Sequence, residues 1–217
     1  FGVSMRPPCD APIPIIFPRM LEQKPNGFLV DLSTPWGDAS FFLPLLGKFN
    51  VMNVMMVIAA SCLLGFDLAQ VCSAASTLRP VCGRMQIYQR PNLPRVVVDY
   101  AHTPDALEQS LLSLQAHCLG KLWCVFGCGG ERDRGKRPLM AAVAERYADN
   151  VIVTSDNSRG ELTQRILDDI RLGFISEESV SIEPVRKQAI LQAVARAGVE
   201  DVILVAGRGH ELNQVIG

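Results

Sequence analysis

The sequence predicts an α/β protein in two regions, the second a doubly wound domain whose parallel sheet is covered on both faces. Two observations carry this. From Arg95 onward, short uninterrupted apolar runs alternate with helical patterns, and a strand buried on both faces reads as such a run rather than as an alternation of apolar and polar residues. Four of those runs end on polar clusters, which places all four clusters at the carboxyl edge of one sheet.

The elements follow in order. Strand-like pieces occupy Pro14 to Phe17, Gly27 to Leu32 and Ala39 to Leu43, followed by helical patterns over Asn50 to Gly65 and Leu68 to Leu78. Pro91 to Pro94 read as a linker dividing residues 1–90 from residues 91–217. Val96 to Tyr100 then reads as a strand, and Pro104 to His117 as a helix opened by Thr103 with Pro104 at its first position. Leu122 to Phe126, Val151 to Thr154, Val180 to Ile182 and Asp201 to Ala206 continue the strands. Lys136 to Tyr147, Glu161 to Leu172 and Arg186 to Ala197 are the helices between them.

Composition removes several classes of function. The 217 residues are 48% hydrophobic, enough for one substantial core or two modest ones. With 21 basic and 22 acidic residues and no long basic run, neither nucleic acid nor an anionic membrane is favoured as a partner. The longest apolar stretch, Val51 to Phe66, is interrupted by Asn53, Ser61 and Gly65, so no membrane insertion is expected. Cys9, Cys62, Cys72, Cys82, Cys118, Cys124 and Cys128 are odd in number and mostly in apolar contexts, which suits reduced core thiols in the cytoplasm. Cys124 and Cys128 lack a second pair or a nearby His cluster and make a poor zinc site. The start, Phe1 followed by MRPPCDAPIPIIFPRM, has neither an initiating Met nor the organisation of a signal peptide, so the chain is expected to begin inside a larger protein.

The polar clusters are DYAHTP, GCGGERDRGKRP, SDNSRGE and GRGHE. Asp99 follows three valines, and a carboxylate at the end of a buried strand needs a partner or a ligand. The loop Gly127 to Gly135 fits neither a Walker phosphate loop nor a dinucleotide fingerprint, which also removes support for a nucleotide-dependent oxidoreductase. It does precede Arg132, Arg134, Lys136 and Arg137, a concentration of donors suited to phosphate or carboxylate.

Taken together, GKFNVMNV (Gly47 to Val54), LRPVCGRMQ (Leu78 to Gln86), VVVDYAHTPDALE (Val96 to Glu108), VFGCGGERDRGKRPLM (Val125 to Met140), SDNSRGE and AGRGHE (Ala206 to Glu211) occur in an order that resembles the Mur ligases. Within them it resembles the branch that adds meso-diaminopimelate as the third residue of the peptidoglycan stem peptide. The resemblance covers essentially the whole chain. It implies the C-terminal part of the central ATP-binding domain in residues 1–90 and an incomplete, Rossmann-like, amino-acid-binding C-terminal domain in residues 91–217.

The resemblance implies a cytoplasmic amide ligase that uses ATP and Mg²⁺. ATP phosphorylates the carboxylate of the UDP-N-acetylmuramoyl-dipeptide, and the amine of meso-diaminopimelate attacks the acyl phosphate. By the same resemblance Asn53 contacts adenine, Arg84 reaches the phosphates, Asp99 binds the ribose and His102 closes the nucleotide site, with Arg84 and His102 taking the catalytic roles. The amino acid is held by Arg132, Asp156, Asn157, Ser158, Arg159, Gly207 and Glu211. Three have a structural alternative: Asn53 as a buried helix-cap amide, Arg84 as a surface ion pair, His102 as a loop histidine.

Two positions depart from the family pattern. Ser158 stands where the family usually has Pro, removing a rigid φ restraint, and Arg208 replaces a Lys. The family's G-T-N-G-K-T phosphate loop, its UDP-sugar domain and its magnesium ligands have no counterpart, and the sequence stops before the final strand and helix. The expectation is therefore a fragment or truncated ligase, inactive by itself. The alternative is a catalytically dead remnant that retains an amino-acid-binding module.

Overall fold

The computed structural model describes residues 1–7, 13–176, 178–211 and 213–215, so Cys9 lies outside the described residues. The chain forms two compact units, Phe1–Pro80 and Val81–Gly217.

In the first unit four strands, β1 (Gly2–Val3), β2 (Ile15–Lys24), β3 (Gly27–Thr34) and β4 (Gly37–Leu43), lie side by side in chain order. β1 and β2 are parallel and the other pairs antiparallel. Pro18 cannot donate to the ladder, and the pairing of β2 with β3 shifts register between Pro18 and Met20. Alternation along β3 sends Phe28, Val30 and Leu32 to one face. That face packs against α1 (Lys48–Leu63) and α2 (Leu68–Ala75). Val51, Val54, Met55, Ile58, Ala59 and Cys62 recur at helical spacing along α1 and form its buried stripe. Burying each of the larger side chains contributes roughly 1.5–3 kcal/mol.

The second unit is a sheet of six strands. These are β5 (Gln86–Tyr88), β6 (Arg95–Val98), β7 (Leu122–Phe126), β8 (Asn150–Val153), β9 (Val180–Ile182) and β10 (Val202–Val205), in the order β5-β6-β10-β7-β8-β9. All pairs are parallel except β5 with β6. The helices between the parallel strands are α3 (Pro104–Gln115), α4 (Lys136–Tyr147), α5 (Thr163–Arg171) and α6 (Arg186–Arg196). α3, α4 and α5 pack side by side. α6 covers the face made by Trp123, Val125, Ile152, Ile203 and Val205, to which it adds Ala189 and Ala193. The alternating residues Leu122, Cys124 and Phe126 are equally buried, which is why β7 reads as one apolar run.

The linker expected at Pro91 to Pro94 is instead the connection between β5 and β6. Gln86, Ile87 and Tyr88 pair with Val98, Val97 and Val96, and this antiparallel ladder draws the residues from Val81 onward into the second unit. The start of α3 is as expected, with the Thr103 side chain accepting from the Ala106 N–H and Pro104 at the first position. All six described cysteines are free thiols. Cys62, Cys72, Cys124 and Cys128 are buried, Cys118 is half-buried and Cys82 is exposed. Among the described residues no helix is long and apolar enough to cross a membrane.

At the amino edge of the second sheet, Asp201 gathers three donors: Lys121 N–H at 2.8 Å, Trp123 Nε1–H at 3.0 Å and Gly198 N–H at 2.9 Å. Burial works against this carboxylate, yet those hydrogen bonds outweigh it and hold the group below its usual range. Asp201→Ala is expected to destabilise the chain by about 2–3 kcal/mol, the sum of bonds worth roughly 1 kcal/mol each. Urea unfolding followed through Trp123 fluorescence measures this, and an unchanged midpoint would show the three bonds to be incidental.

Candidate functional site

The four polar clusters meet at the carboxyl edge of the second sheet, joined by main-chain hydrogen bonds between loops. Gly207 N–H donates to Asp99 O, Ala206 N–H to Val125 O, Thr154 N–H to Phe126 O, and Gly130 N–H to Asn157 O, at 2.8–3.1 Å. They enclose a cleft of about 410 Å³. His102, Arg132, Asp156, Asn157, Arg159, Gly207 and Glu211 all line it. The lining carries cations at Arg132, Lys136 and Arg159 and anions at Asp133, Asp156 and Glu211.

Gly207 and Glu211 are placed by the turn after β10. Gly207 has φ +108°, a conformation that favours glycine, and a Cβ there would stand 2.9 Å from Asp156 Oδ2 and displace that carboxylate. Glu211 accepts from Asn157 Nδ2 at 2.8 Å, and Asn157 Oδ1 accepts from Val215 N–H at 2.7 Å. Arg159, at φ +50°, donates through Nη1 to the carbonyls of Gly130 (2.9 Å) and Asn157 (3.2 Å). Its other guanidinium nitrogens have no hydrogen bond among the described residues, leaving an edge to face a ligand. Asp156 Oδ1 accepts from the Asn157 N–H at 2.6 Å.

Ser158 is buried beneath this loop rather than exposed to the cleft. Its Oγ has no hydrogen-bond partner among the described residues. Asp99 is buried as well, and its carboxylate is supplied by protein donors: Met85 N–H at 2.8 Å, Ala101 N–H at 2.9 Å and Ser110 Oγ–H at 3.2 Å. The carboxylate that the sequence left needing a partner or a ligand therefore has partners, with one of about four acceptor positions left over. Among the described residues Arg84 is neither in the cleft lining nor in an ion pair. It is exposed, with its guanidinium 4.2 Å from the centre of the Tyr100 ring. His102 is exposed, its Nδ1 2.8 Å from Tyr100 O. Asn53 belongs to the first unit, where it is exposed within α1, neither buried nor a cap.

The basic cluster of the Gly-rich loop divides in two. Arg137 is completely buried, donating through Nη1 to Asp169 (2.8 Å) and through Nη2 to Glu161 (3.0 Å) and the Gly129 carbonyl (3.3 Å). Arg134 pairs with Glu161 at 3.2 Å. Of the four expected donors only Arg132 and Lys136 face the cleft, because Glu161 on the adjoining loop draws the other two away. Glu161 also accepts from the Glu131 N–H at 2.5 Å, which ties the Gly-rich loop to the loop after β8.

Sequence reasoning missed two residues of the rim, Tyr100 and Arg186. Tyr100 contacts His102, His210 and Arg84. Arg186, at the start of α6, is buried and donates to Ala206 O (2.6 Å) and Ser155 O (3.4 Å), the carbonyls that follow β10 and β8. Lys136 Nζ donates to His102 O at 2.8 Å, linking the loops after β6 and β7. No motif marked Arg186; its place just after the apolar β9 was the available signal. Cys128 stands in the cleft wall with its thiol pushed up to about 12 by burial, so it is an inert wall residue. Among the described residues no group of three or more His, Cys, Asp or Glu side chains could hold a metal ion.

A parallel sheet whose loops form a charged cleft beyond the strand ends is a small-ligand site of the doubly wound α/β class. The chain belongs to the family described as Mur ligase, glutamate ligase domain, which matches residues 83–209. It is similar to a UDP-N-acetylmuramoyl-L-alanyl-D-glutamate–2,6-diaminopimelate ligase of Haemophilus influenzae, 50% identical over 192 residues, covering 88% of this chain and 39% of that protein. A protein of the same description from Coxiella burnetii is 45% identical over 215 residues, covering 99% of this chain and 44% of its own length. A solved structure of such a ligase matches with TM-score 0.69 at 39% identity, over 93% of this chain and 41% of that one. A UDP-N-acetylmuramate–alanine ligase of Thermotoga maritima, 24% identical with TM-score 0.68, covers 88% of this chain and 42% of its own and shares the fold. The chain thus spans about two fifths of the length of these relatives.

Two outcomes are expected of this geometry. Ser158→Ala should be neutral or stabilising by up to about 1 kcal/mol, since it removes a buried hydroxyl without a protein partner. A thermal midpoint lowered by several degrees would show that the hydroxyl is satisfied. The second concerns acid. Arg137 above all, then the Glu131 N–H, holds the Glu161 carboxyl at about 2. A depressed folded value gives stability that is present above the unfolded value of about 4.3 and lost as pH falls towards about 2. The stability difference between the unmutated chain and Glu161→Gln should therefore shrink across that window, and a difference independent of pH would refute the pairing.

Proposed function

We propose that this chain is the amino-acid-selecting part of an ATP-dependent amide ligase of peptidoglycan precursor synthesis. The ligase adds meso-diaminopimelate to UDP-N-acetylmuramoyl-L-alanyl-D-glutamate in the cytoplasm. The observation that carries the reading is the bipolar cleft, with Arg132, Lys136 and Arg159 against Asp133, Asp156 and Glu211. A ligand with an ammonium and a carboxylate at each end needs both signs of charge in one pocket. The relatives at 45–50% identity are ligases for 2,6-diaminopimelate.

In this reading Asp156 and Glu211 receive the ammonium groups, with Glu211 aimed by Asn157. Arg159 receives the distal carboxylate through the edge of its guanidinium that Gly130 and Asn157 leave open. Arg132 and the Gly207 turn complete the pocket. Ser158 acts beneath it by filling the loop. The match of Ser155 to Glu161 with the family pattern supports these roles despite the change at Ser158.

ATP, when bound, supplies the phosphoryl group that activates the substrate carboxylate. Arg84, oriented on the Tyr100 ring, offers its outer face to the nucleotide phosphates, and His102 closes that side. Asp99 offers the ribose the acceptor position its three protein donors leave open. The first unit, in this reading, is the end of the ATP-binding domain. The exposed apolar side chains of α1, Met56 and Val57 among them, are then covered by the rest of that domain.

Arg159 is expected to select meso-diaminopimelate over lysine. Lysine lacks the distal carboxylate and would set an ammonium beside the guanidinium, so rejection joins a lost bidentate pair to a repulsion. Such a pocket can discriminate by as much as about 10⁴-fold. In a complete ligase carrying this segment, Arg159→Ala should raise the KM for diaminopimelate on the order of 10–100-fold and narrow the gap to lysine. Equal use of both amino acids by the unmutated enzyme would sink the assignment.

A further inference from the structure

Tyr100 has no role in the reading above beyond orienting Arg84, yet it touches both halves of the rim. Its ring lies under the Arg84 guanidinium at 4.2 Å, meets the His102 ring edge-on at 4.7 Å, and stands 5.6 Å from the His210 ring. Its hydroxyl donates to Glu211 Oε1 at 3.4 Å, the carboxylate whose other oxygen holds Asn157 Nδ2 at 2.8 Å. One side chain thus bears on Arg84 and His102 through its ring and on Glu211 through its hydroxyl.

The backbone around Tyr100 leaves little room for these groups to move independently. Gly209, at φ +46°, has no space for a side chain, since a Cβ would lie 2.9 Å from Tyr100 Cβ and 2.7 Å from Gly83 O. Gly83, at φ +68°, would place a Cβ 2.2 Å from the Gly209 and His210 main chain. The loop carrying Arg84, the loop after β6 and the turn after β10 are therefore packed main chain to main chain beside the Tyr100 ring. A closely packed junction shifts as a unit rather than deforming piecemeal.

We propose that Tyr100 is a positioning residue that couples Arg84 to Glu211, so that occupancy on the nucleotide side alters affinity on the amino-acid side and the reverse. Such coupling is reciprocal by thermodynamic necessity. The identity of the two ligands rests on the function proposed above, while the coupling belongs to the rim itself. A nucleotide that draws on Arg84 pulls the Tyr100 ring with it, and the hydroxyl carries that shift to Glu211. An amino acid that draws on Glu211 acts in the opposite direction.

The coupling can be read without any ligand, by nuclear magnetic resonance on the 217-residue chain. Glu211→Gln is expected to move the Arg84 Nε–Hε resonance when Tyr100 is present. It should fail to do so in Tyr100→Phe, which keeps the ring and the ring-current shift on Arg84 but loses the hydroxyl. An Arg84 resonance indifferent to Glu211→Gln in the unmutated chain, or equally responsive in Tyr100→Phe, overturns the proposal. Kinetics provide a second reading in a complete ligase carrying this segment. The KM for the amino acid should depend on the ATP concentration and the KM for ATP on the amino-acid concentration by one common factor, and Tyr100→Phe should change that factor about 3–10-fold, the range for one neutral-donor hydrogen bond. Affinities independent of one another in the unmutated enzyme, or a coupling factor that Tyr100→Phe leaves unchanged, count against it. A complete ligase that uses no diaminopimelate would instead overturn the proposed function, and the resonance experiment would still decide the coupling.

Discussion

The last strand of the chain is the central strand of its second sheet, and the cleft depends on that insertion. β10 lies between β6 and β7, with Val205 opposite both Val98 and Val125. The turn that follows it therefore enters the middle of the rim, where Gly207 N–H meets Asp99 O and Ala206 N–H meets Val125 O. If β10 stood at a sheet edge, Gly207 and Glu211 would lie away from Asp156 and Tyr100, and no concave surface would form. In open α/β sheets ligands bind in the crevice beyond the carboxyl ends of the strands, which is where this turn lies.

Two buried guanidiniums then fix the loops, in different ways. Arg137 is matched by the carboxylates of Glu161 and Asp169, so its charge is balanced where it sits. Arg186 donates to the main-chain carbonyls of Ser155 and Ala206, and burial pushes its pKa down. Asp156 is the foremost of the acidic groups that favour its charged form. A cation placed behind Asp156, with carbonyls for hydrogen-bond partners, holds two rim loops at a fixed separation and lends positive potential to the cleft. Arg137 secures the Gly-rich loop from outside the pocket, whereas Arg186 secures its floor.

How much of this could be read from residues alone follows from where the information lies. β7, α4 and β9 have the bounds expected, and for β7 the reason is that a strand buried on both faces writes its environment into local pattern. β5 was not expected: it is no more exposed than β9, but it lies outside the strand–helix alternation that marks β9, and Pro91 to Pro94 beyond it look like a linker. The rim was legible as polar clusters ending apolar runs. The partners within it were not, because each is set by long-range packing. Glu161 takes Arg137 from 24 residues away, and Tyr100 finds Glu211 across 111. An Arg in a Gly-rich loop carries no local mark of whether it will face solvent, ligand or a buried carboxylate. The same holds for Asp99, whose donors come from three separate positions along the chain.

Every residue that lines the cleft falls between Tyr100 and Glu211, within the second unit. Its walls are loops of a single sheet, and the bonds that shape it, from Asn157 to Glu211 and from Arg186 to Ala206, begin and end in that unit. A pocket built in this way needs no other domain to acquire its form. In the proposed function, selection of the incoming amino acid is physically separable from phosphoryl transfer, and the pocket can be retuned through Arg159 or the loop over Ser158 without disturbing groups that serve the nucleotide. The exception is the junction at Tyr100, where Gly83, Gly209 and the aromatic ring leave no slack. Separable pockets with one rigid point of contact can change specificity independently and still sense each other's occupancy.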